Sequence, residues 1–189
     1  MGHRSAGGQA IPSDPWRSFL QELDERLRGR VELRCLGGFV ITQQYGIGRA
    51  TSDIDFLSVV KQHSEDDVEA IAGLRSSLHK KYRLFIQYVG VATPPCDWES
   101  RLRPMFPDAT WKHLRLFALD PMDLALSKLE RNSERDREDL LGLARTGLID
   151  AGELRSRYLE EVRPYLLSKH SWHDRSLDLW VEMIAPPKE

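Results

Sequence analysis

Residues 36–56 read LGGFVITQQYGIGRATSDIDF, and the way this stretch is read decides the fold. Its last residues open the run DIDFLSVV, Asp53 to Val60, whose β-branched residues and phenylalanine predict a strand. On a strand, side chains i and i+2 leave the same face, so Asp53 and Asp55 converge while Ile54 anchors the opposite face in the core. Two carboxylates held close together repel each other unless a cation lies between them, which makes such a pair a natural ligand set for Mg²⁺ or Mn²⁺. The spacing alone also allows a plainer use, with Asp53 capping the preceding turn and Asp55 pairing with a surface Lys or Arg.

Working outward, Gly37-Gly38 sits between a strand predicted over Val31 to Leu36 and a short helix predicted over Phe39 to Tyr45, which Gly46-Ile47-Gly48 breaks. Missing side chains at such a junction let backbone N–H groups approach a phosphate, although glycine pairs also serve ordinary turns. The pair lies one short helix upstream of the carboxylates, so a phosphate cradle and metal ligands can face one crevice. Arg49 and Thr51 precede Asp53, where a guanidinium can neutralise phosphate charge and a hydroxyl can brace the loop.

Further out, Trp16, Phe19, Leu20, Leu23 and Leu27 recur at helical spacing, with Ser13 or Asp14 as the start signal, Pro15 in the first turn and Gly29 as the stop. Ser64 to Asp67 resembles a capping box for a helix running to about Lys81. Leu84 to Val91 is the most apolar run and reads as a central strand stopped by Thr93-Pro94-Pro95. Trp98 to Met105 is a weak element and Leu114 to Leu119 a fourth strand. Helices follow over Met122 to Arg131, Glu134 to Thr146, Ala151 to Val162 and Ser171 to Ile184. This order predicts an α/β (α+β) fold, a small mixed sheet flanked by helices and then a C-terminal helical part. Expected boundaries are a mobile tail over 1–13, an α/β core over 14–120, and a helical part over 121–189 packed on that core.

The 189 residues carry 27 Lys plus Arg against 29 Asp plus Glu, a net charge of -2, which gives no global attraction for nucleic acid. An ordinary share of apolar residues excludes disordered, collagen-like and repeat proteins. Cys35 and Cys96 are too few for a disulfide framework or a thiolate zinc site. No apolar run suits a membrane span or a secretion signal, and Ala6 stands where a myristoylation pattern wants Ser or Thr. A cytoplasmic protein without membrane contact is expected.

A third informative stretch is LDPMDLALSKLERNSERDREDL, residues 119–140. Asp120 and Pro121 open a helix, Ser133 with Asp136 forms a second capping box, and Arg135 with Asp139 makes an exposed i, i+4 pair. Lys128 falls near the apolar stripe of Leu124, Ala125 and Leu129, an odd place for a surface charge unless it reaches a cleft.

Taken together, Gly37-Gly38, Arg49, Thr51 and Asp53-Ile54-Asp55 resemble the signature of the polymerase-β-type nucleotidyltransferase superfamily. Asp123, Lys128, Arg135, Asp136, Asp139 and Leu140 resemble the downstream motif of its minimal bacterial branch, the AbiEii-like and MenT-type type IV toxins. The resemblance covers residues 30–145. It implies a metal-dependent enzyme that transfers NMP from an NTP to an acceptor hydroxyl and releases pyrophosphate, with Asp53 and Asp55 holding Mg²⁺ (or Mn²⁺). It further implies that Gly37 and Gly38 bind the phosphates through backbone N–H groups, supported by Arg49 and Thr51. Lys128 would contact the triphosphate, and Asp123 and Asp136 would orient the acceptor hydroxyl or hold Lys128.

The sequence departs from that pattern at one point. Many superfamily members carry a third catalytic carboxylate on the strand after Asp-x-Asp, whereas Arg83 to Val91 holds no acid and Gln87 is not a base. The third role falls to Asp123 or Asp136, or is missing, which leaves a catalytically weak nucleotide-binding or partner-binding module as an alternative. The toxin branch points to the 3′ end of tRNA as acceptor and to a cognate antitoxin protein as partner. A neutral chain equally allows other RNA, a protein hydroxyl or a small molecule such as an aminoglycoside. His170 and His173 read as solvated or packing residues and the tryptophans Trp98, Trp111, Trp172 and Trp180 as core or interface residues. The arginines from Arg131 to Arg157 read as a salt-laced surface, with a local RNA-facing stripe as the alternative.

Overall fold

Strand β1 (Val31–Leu36) buries Val31, Leu33 and Cys35 in strict alternation, and this period of two seats it in the middle of a five-stranded sheet. The computed structural model describes residues 9–48, 50–90 and 94–185. The sheet order is β3-β2-β1-β5-β4, with β2 Asp53–Lys61, β3 Phe85–Tyr88, β4 Arg103–Met105 and β5 Leu114–Ala118. β1 runs antiparallel to β2 and parallel to β5, β2 runs parallel to β3, and β4 runs antiparallel to β5. The sheet is therefore mixed, as the sequence predicts.

The chain separates into two compact units, one drawn from Met1–Val91 and Leu102–Leu119, the other from Ala92–Arg101 and Asp120–Glu189. In the first unit, α1 (Trp16–Arg26) buries Trp16, Phe19, Leu20 and Leu23, and α2 (Gly37–Gln43) buries Phe39, Val40 and Ile41. Trp16 and Phe39 meet edge to face at 4.8 Å. Asp24 lies on the same apolar stripe of α1 and is buried. Its carboxylate accepts from the backbone N–H groups of Lys112, His113 and Leu114 at 2.7–2.9 Å, which ties α1 to the start of β5. Gln9 and Ala10 also join this unit, Ala10 O accepting from Asp108 N at 3.1 Å. Residues 1–8 of the expected tail lie outside the described residues.

One irregularity in β2 matters for function. Arg34 faces Ser58, but the next residue, Cys35, faces Phe56, so Leu57 is an extra residue in the ladder. A bulge of this kind reverses which face the following residues present. It turns Ile54 and Phe56 into the core and leaves Asp53 and Asp55 on the other face.

Several expectations change. The helix expected from Ser64 to Lys81 is two helices, α3 (Val68–Ala72) and α4 (Ser77–Tyr82). Asp67, not Ser64, caps α3, and Gly73 ends it where a Cβ would lie 2.4 Å from the Glu69 carbonyl oxygen; Ser76 then caps α4. The run Leu84 to Val91 supplies an edge strand rather than a central one, and Val91 lies outside the described residues. Apolar content reports burial of Leu84 and Ile86, not position in the sheet; at the edge, Tyr88 is 56% exposed and its N–H donates to Glu69 Oε1 at 3.0 Å. Finally, the weak element becomes a 3₁₀ turn, Trp98–Arg101, and the short β4, whose Pro104 is tolerated because β4 is also an edge.

The second unit contains α5 (Pro121–Leu126), α6 (Glu134–Arg145), α7 (Ala151–Arg157) and α8 (His170–Ile184). Asp120 caps α5 through Met122 N, with Pro121 in the first turn, and Ser133 with Asp136 forms the capping box of α6. α5 stops short of the expected Arg131, because Lys128 N and Leu129 N bond three residues back and tighten the chain into a turn. α7 widens into a π-helical turn over Tyr158–Val162. The four helices bury Leu124, Leu140, Leu143, Leu154, Leu177 and Trp180, and the π-helical turn buries Tyr158. Among the described residues, no helix is long and apolar enough to cross a membrane.

Candidate active site

Asp53 and Asp55 leave the same face of β2 and are both partly exposed. Their places are set by the strands on either side, with Asp55 opposite Leu36 on β1 and opposite Gln87 on β3. Thr51 Oγ1 donates to Asp53 Oδ1 at 2.6 Å, so this hydroxyl braces the carboxylate. Gln87 Nε2 donates to Asp55 Oδ1 at 2.7 Å and to Asp53 Oδ2 at 3.3 Å, and one amide nitrogen thereby spans both acids. An ionised carboxylate can only accept, which fixes the amide with its nitrogen toward the pair.

The turn from β1 into α2 closes another side. Gly37 has φ +74°, a conformation L side chains rarely adopt, and a Cβ placed there would lie 2.3 Å from Asp55 Oδ2. The Gly37 backbone therefore lies directly against the carboxylate. Gly38 follows within α2, its carbonyl accepting from Thr42 Oγ1 at 3.0 Å. Cys35 is fully buried; burial pushes its thiol pKa well up, the Asp55 charge adds to this, and a backbone hydrogen bond at Phe117 opposes it. That thiol stays protonated at neutral pH. Arg49 lies outside the described residues.

The donor set at Asp53 and Asp55 fits a divalent cation. Two hard carboxylate oxygens already share one positively polarised hydrogen-bond donor, and a turn without a side chain lies alongside. Among the described residues no group of three or more His, Cys, Asp or Glu is disposed to hold a metal ion. A pair of this kind matches the Mg²⁺ habit of taking one or two protein carboxylates and completing its shell with substrate phosphates and water.

The other nominated residues lie in the second unit and form two separate clusters. Lys128 is buried, its Nζ donating to Asp136 Oδ1 at 3.2 Å and to Asp139 Oδ2 at 2.7 Å. Asp139, expected on the surface, has a side chain only 3% exposed. Asp136 also accepts from Arg131 Nε and Nη2 at 2.8 and 2.5 Å and from Ser133 Oγ at 2.7 Å. Burial opposes ionisation of Asp136, yet Arg131, Ser133 and Lys128 together hold its pKa far below the ordinary carboxylate range. A carboxylate in that state is a weak proton acceptor, which suits it to holding Lys128 rather than to general-base work.

Asp123 is not part of that cluster. It is fully buried, Arg101 donating to both its oxygens at 2.9 Å and Arg157 to Oδ1, while Glu161 Oε2 accepts from Arg101 at 2.8 Å. Hydrogen bonding to Asp123 raises the Arg101 pKa, so the guanidinium stays charged. Arg131, Arg155 and Arg157 are ion-paired with Asp136, Asp178 and Asp123; the Arg155–Asp178 pair lies at the surface, whereas Asp136 and Asp123 are buried, so these arginines are not uniformly the salt-laced surface that the sequence suggests. His173 is buried, and its pKa is lowered chiefly by that burial. Trp111 and Trp180 are buried and Trp172 is 43% exposed.

Sequence reasoning names Gln87 only as a residue that is not a base and gives it no role in the site. A signal was present: on a strand parallel to β2, a polar side chain between the apolar Ile86 and Tyr88 points to the same face as the acids.

A mixed sheet with a glycine turn packed against two strand carboxylates is what the resemblance to the nucleotidyltransferase superfamily implies. The chain belongs to the family described as nucleotidyltransferase of unknown function (DUF6036), which matches residues 18–184. That match takes in α1 from its third residue and runs to the end of α8, beyond the residues that carry the motifs. No significant match to a curated protein or to a solved structure was found.

Proposed function

We propose that this protein is a metal-dependent nucleotidyltransferase that moves NMP from an NTP to an acceptor hydroxyl. The observation that carries the proposal is the convergence of Asp53 and Asp55 on one amide donor, with Gly37 against Asp55. Asp53 and Asp55 would hold Mg²⁺ or Mn²⁺, which when bound supplies charge stabilisation for the phosphates and the departing pyrophosphate. Thr51 keeps Asp53 aligned, and the side-chain-free Gly37 gives phosphate oxygens room beside Asp55. The resemblance to the toxin branch supports an RNA acceptor, the 3′ end of tRNA, and a cognate antitoxin. Gln87, standing where an acid would complete a catalytic set, favours a second reading, a nucleotide-binding or partner-binding module with little turnover.

The test is transfer of label from each of the four α-labelled NTPs to total bacterial RNA and to the protein itself, with Mg²⁺ or Mn²⁺, beside Asp53→Ala. Label on tRNA that disappears in the variant is the expected result; label on protein moves the acceptor to a protein hydroxyl. No label with NTP binding retained selects the binding module or a small-molecule acceptor. Growth arrest on induction that Asp55→Ala relieves supports the toxin role, and arrest that persists counts against it.

A second expected result concerns the turn. Gly37→Ala forces a positive-φ residue and pushes Asp55 aside, at an expected stability loss of about 1–2 kcal/mol. Transfer falls on the order of 10²-fold, since displacement by about 1 Å costs that much. Melting and transfer measured side by side check it, and unchanged transfer refutes the role of the turn.

A further inference from the structure

We infer that Gln87 is a positioning residue that holds Asp53 and Asp55 together in the absence of a cation and competes with a divalent cation for the same oxygens, so that tight cation binding waits for the nucleotide. The inference rests on the reading of Asp53 and Asp55 as metal ligands. Gln87 is half-buried on the edge strand β3, opposite Asp55 in register, and its Nε2 lies 2.7 Å from Asp55 Oδ1 and 3.3 Å from Asp53 Oδ2. An amide nitrogen carries two N–H donors, one for each acid.

Two facing carboxylates repel each other. A neutral amide donating to both offsets part of that repulsion and keeps the two acids aligned, itself contributing no charge. A cation that bridges Asp55 Oδ1 and Asp53 Oδ2 meets the positive ends of the amide N–H groups at the same two oxygens, so the amide weakens its binding unless the side chain swings away. A glutamate at 87 would do the opposite, because the isosteric side chain brings an acceptor in place of a donor and adds a third hard oxygen ligand. Glutamine therefore sets cation affinity below what an acid would give. The oxygens missing from the cation's shell are those that NTP phosphates supply, which couples cation and nucleotide binding.

Mn²⁺ binding followed by calorimetry and electron paramagnetic resonance, with and without a non-hydrolysable NTP analogue, tests this on the full chain. The wild type is expected to bind Mn²⁺ weakly alone and more tightly with the analogue. Gln87→Glu is expected to bind Mn²⁺ about tenfold more tightly without nucleotide, to lose most of the dependence on the analogue, and to melt lower than the wild type until Mn²⁺ is added. Gln87→Met, which removes the competing donor without adding a ligand, tightens binding less. If both variants bind Mn²⁺ as the wild type does while Asp55→Asn abolishes binding, Gln87 merely packs and the inference is overturned. If Asp55→Asn binds Mn²⁺ as well as the wild type, the metal-ligand reading fails and this inference falls with it.

Discussion

Asp55→Asn and Asp53→Asn are each expected to lower nucleotidyl transfer by on the order of 10³-fold or more while leaving the fold at least as stable as the wild type. Asparagine keeps the shape of the side chain and its carbonyl still accepts a hydrogen bond from Gln87, so the strand register and the Gly37 turn have no cause to move. What disappears is one of two negative charges. A cation held by two carboxylates and substrate phosphates contributes several kcal/mol of charge stabilisation, and each ~1.4 kcal/mol lost is tenfold in rate. Stability moves the other way or not at all, because the native pair carries a like-charge repulsion that Gln87 offsets only in part. Both quantities are measured on the same preparations, transfer by incorporation of α-labelled NTP and stability by thermal melting. Wild-type transfer in both variants would remove the carboxylate pair from the mechanism.

The parts of the site legible in the sequence are those fixed by local periodicity. Asp53 and Asp55 share a face because strands have a period of two, and Gly37 could be singled out because it falls where a strand runs straight into a helix. Less legible were features that depend on register between distant segments. The bulge at Leu57 decides which face the acids take, yet it follows from pairing with β1 rather than from anything in DIDFLSVV itself. Gln87 joins the acids only because β3 lies parallel to β2 in one register, and the same uncertainty made an edge strand read as a central one. Asp139 reads in the sequence as half of an exposed pair, and nothing in the sequence singles out Asp24. Each is buried because a distant segment brings complementary partners: three backbone N–H groups for the first, the ammonium of Lys128 for the second. Lys128 on an apolar stripe was the visible half of that arrangement, and its partners lie eight and eleven residues further on, across a turn.

Lys128→Met is expected to be the most destabilising of these substitutions, by about 3–5 kcal/mol, because it takes the ammonium away from two buried carboxylates, of which Asp136 keeps its bonds to Arg131 and Ser133. The side chains of Lys128, Asp136 and Asp139 are 7%, 0% and 3% exposed, so water cannot replace the lost ammonium. In a chain of this size that corresponds to a fall in melting temperature of roughly 10 °C. The pH dependence follows from Asp136. Its pKa is held below the unfolded value, so the stability it contributes is fully present above the ordinary aspartate range near ~4 and is lost as pH falls toward the native value. Lys128 is one source of that depression. The gap in melting temperature between wild type and variant is therefore widest at neutral pH and narrows on acidification, whereas a simple packing defect would leave a gap independent of pH. Transfer per folded molecule, measured well below the variant's melting point, separates this structural role from a phosphate contact. Activity retained in folded Lys128→Met assigns the lysine to holding α6 against the turn after α5; activity lost in folded protein assigns it to the triphosphate as well. A variant that melts with the wild type at every pH would mean that Lys128 and the two carboxylates do not form the cluster described.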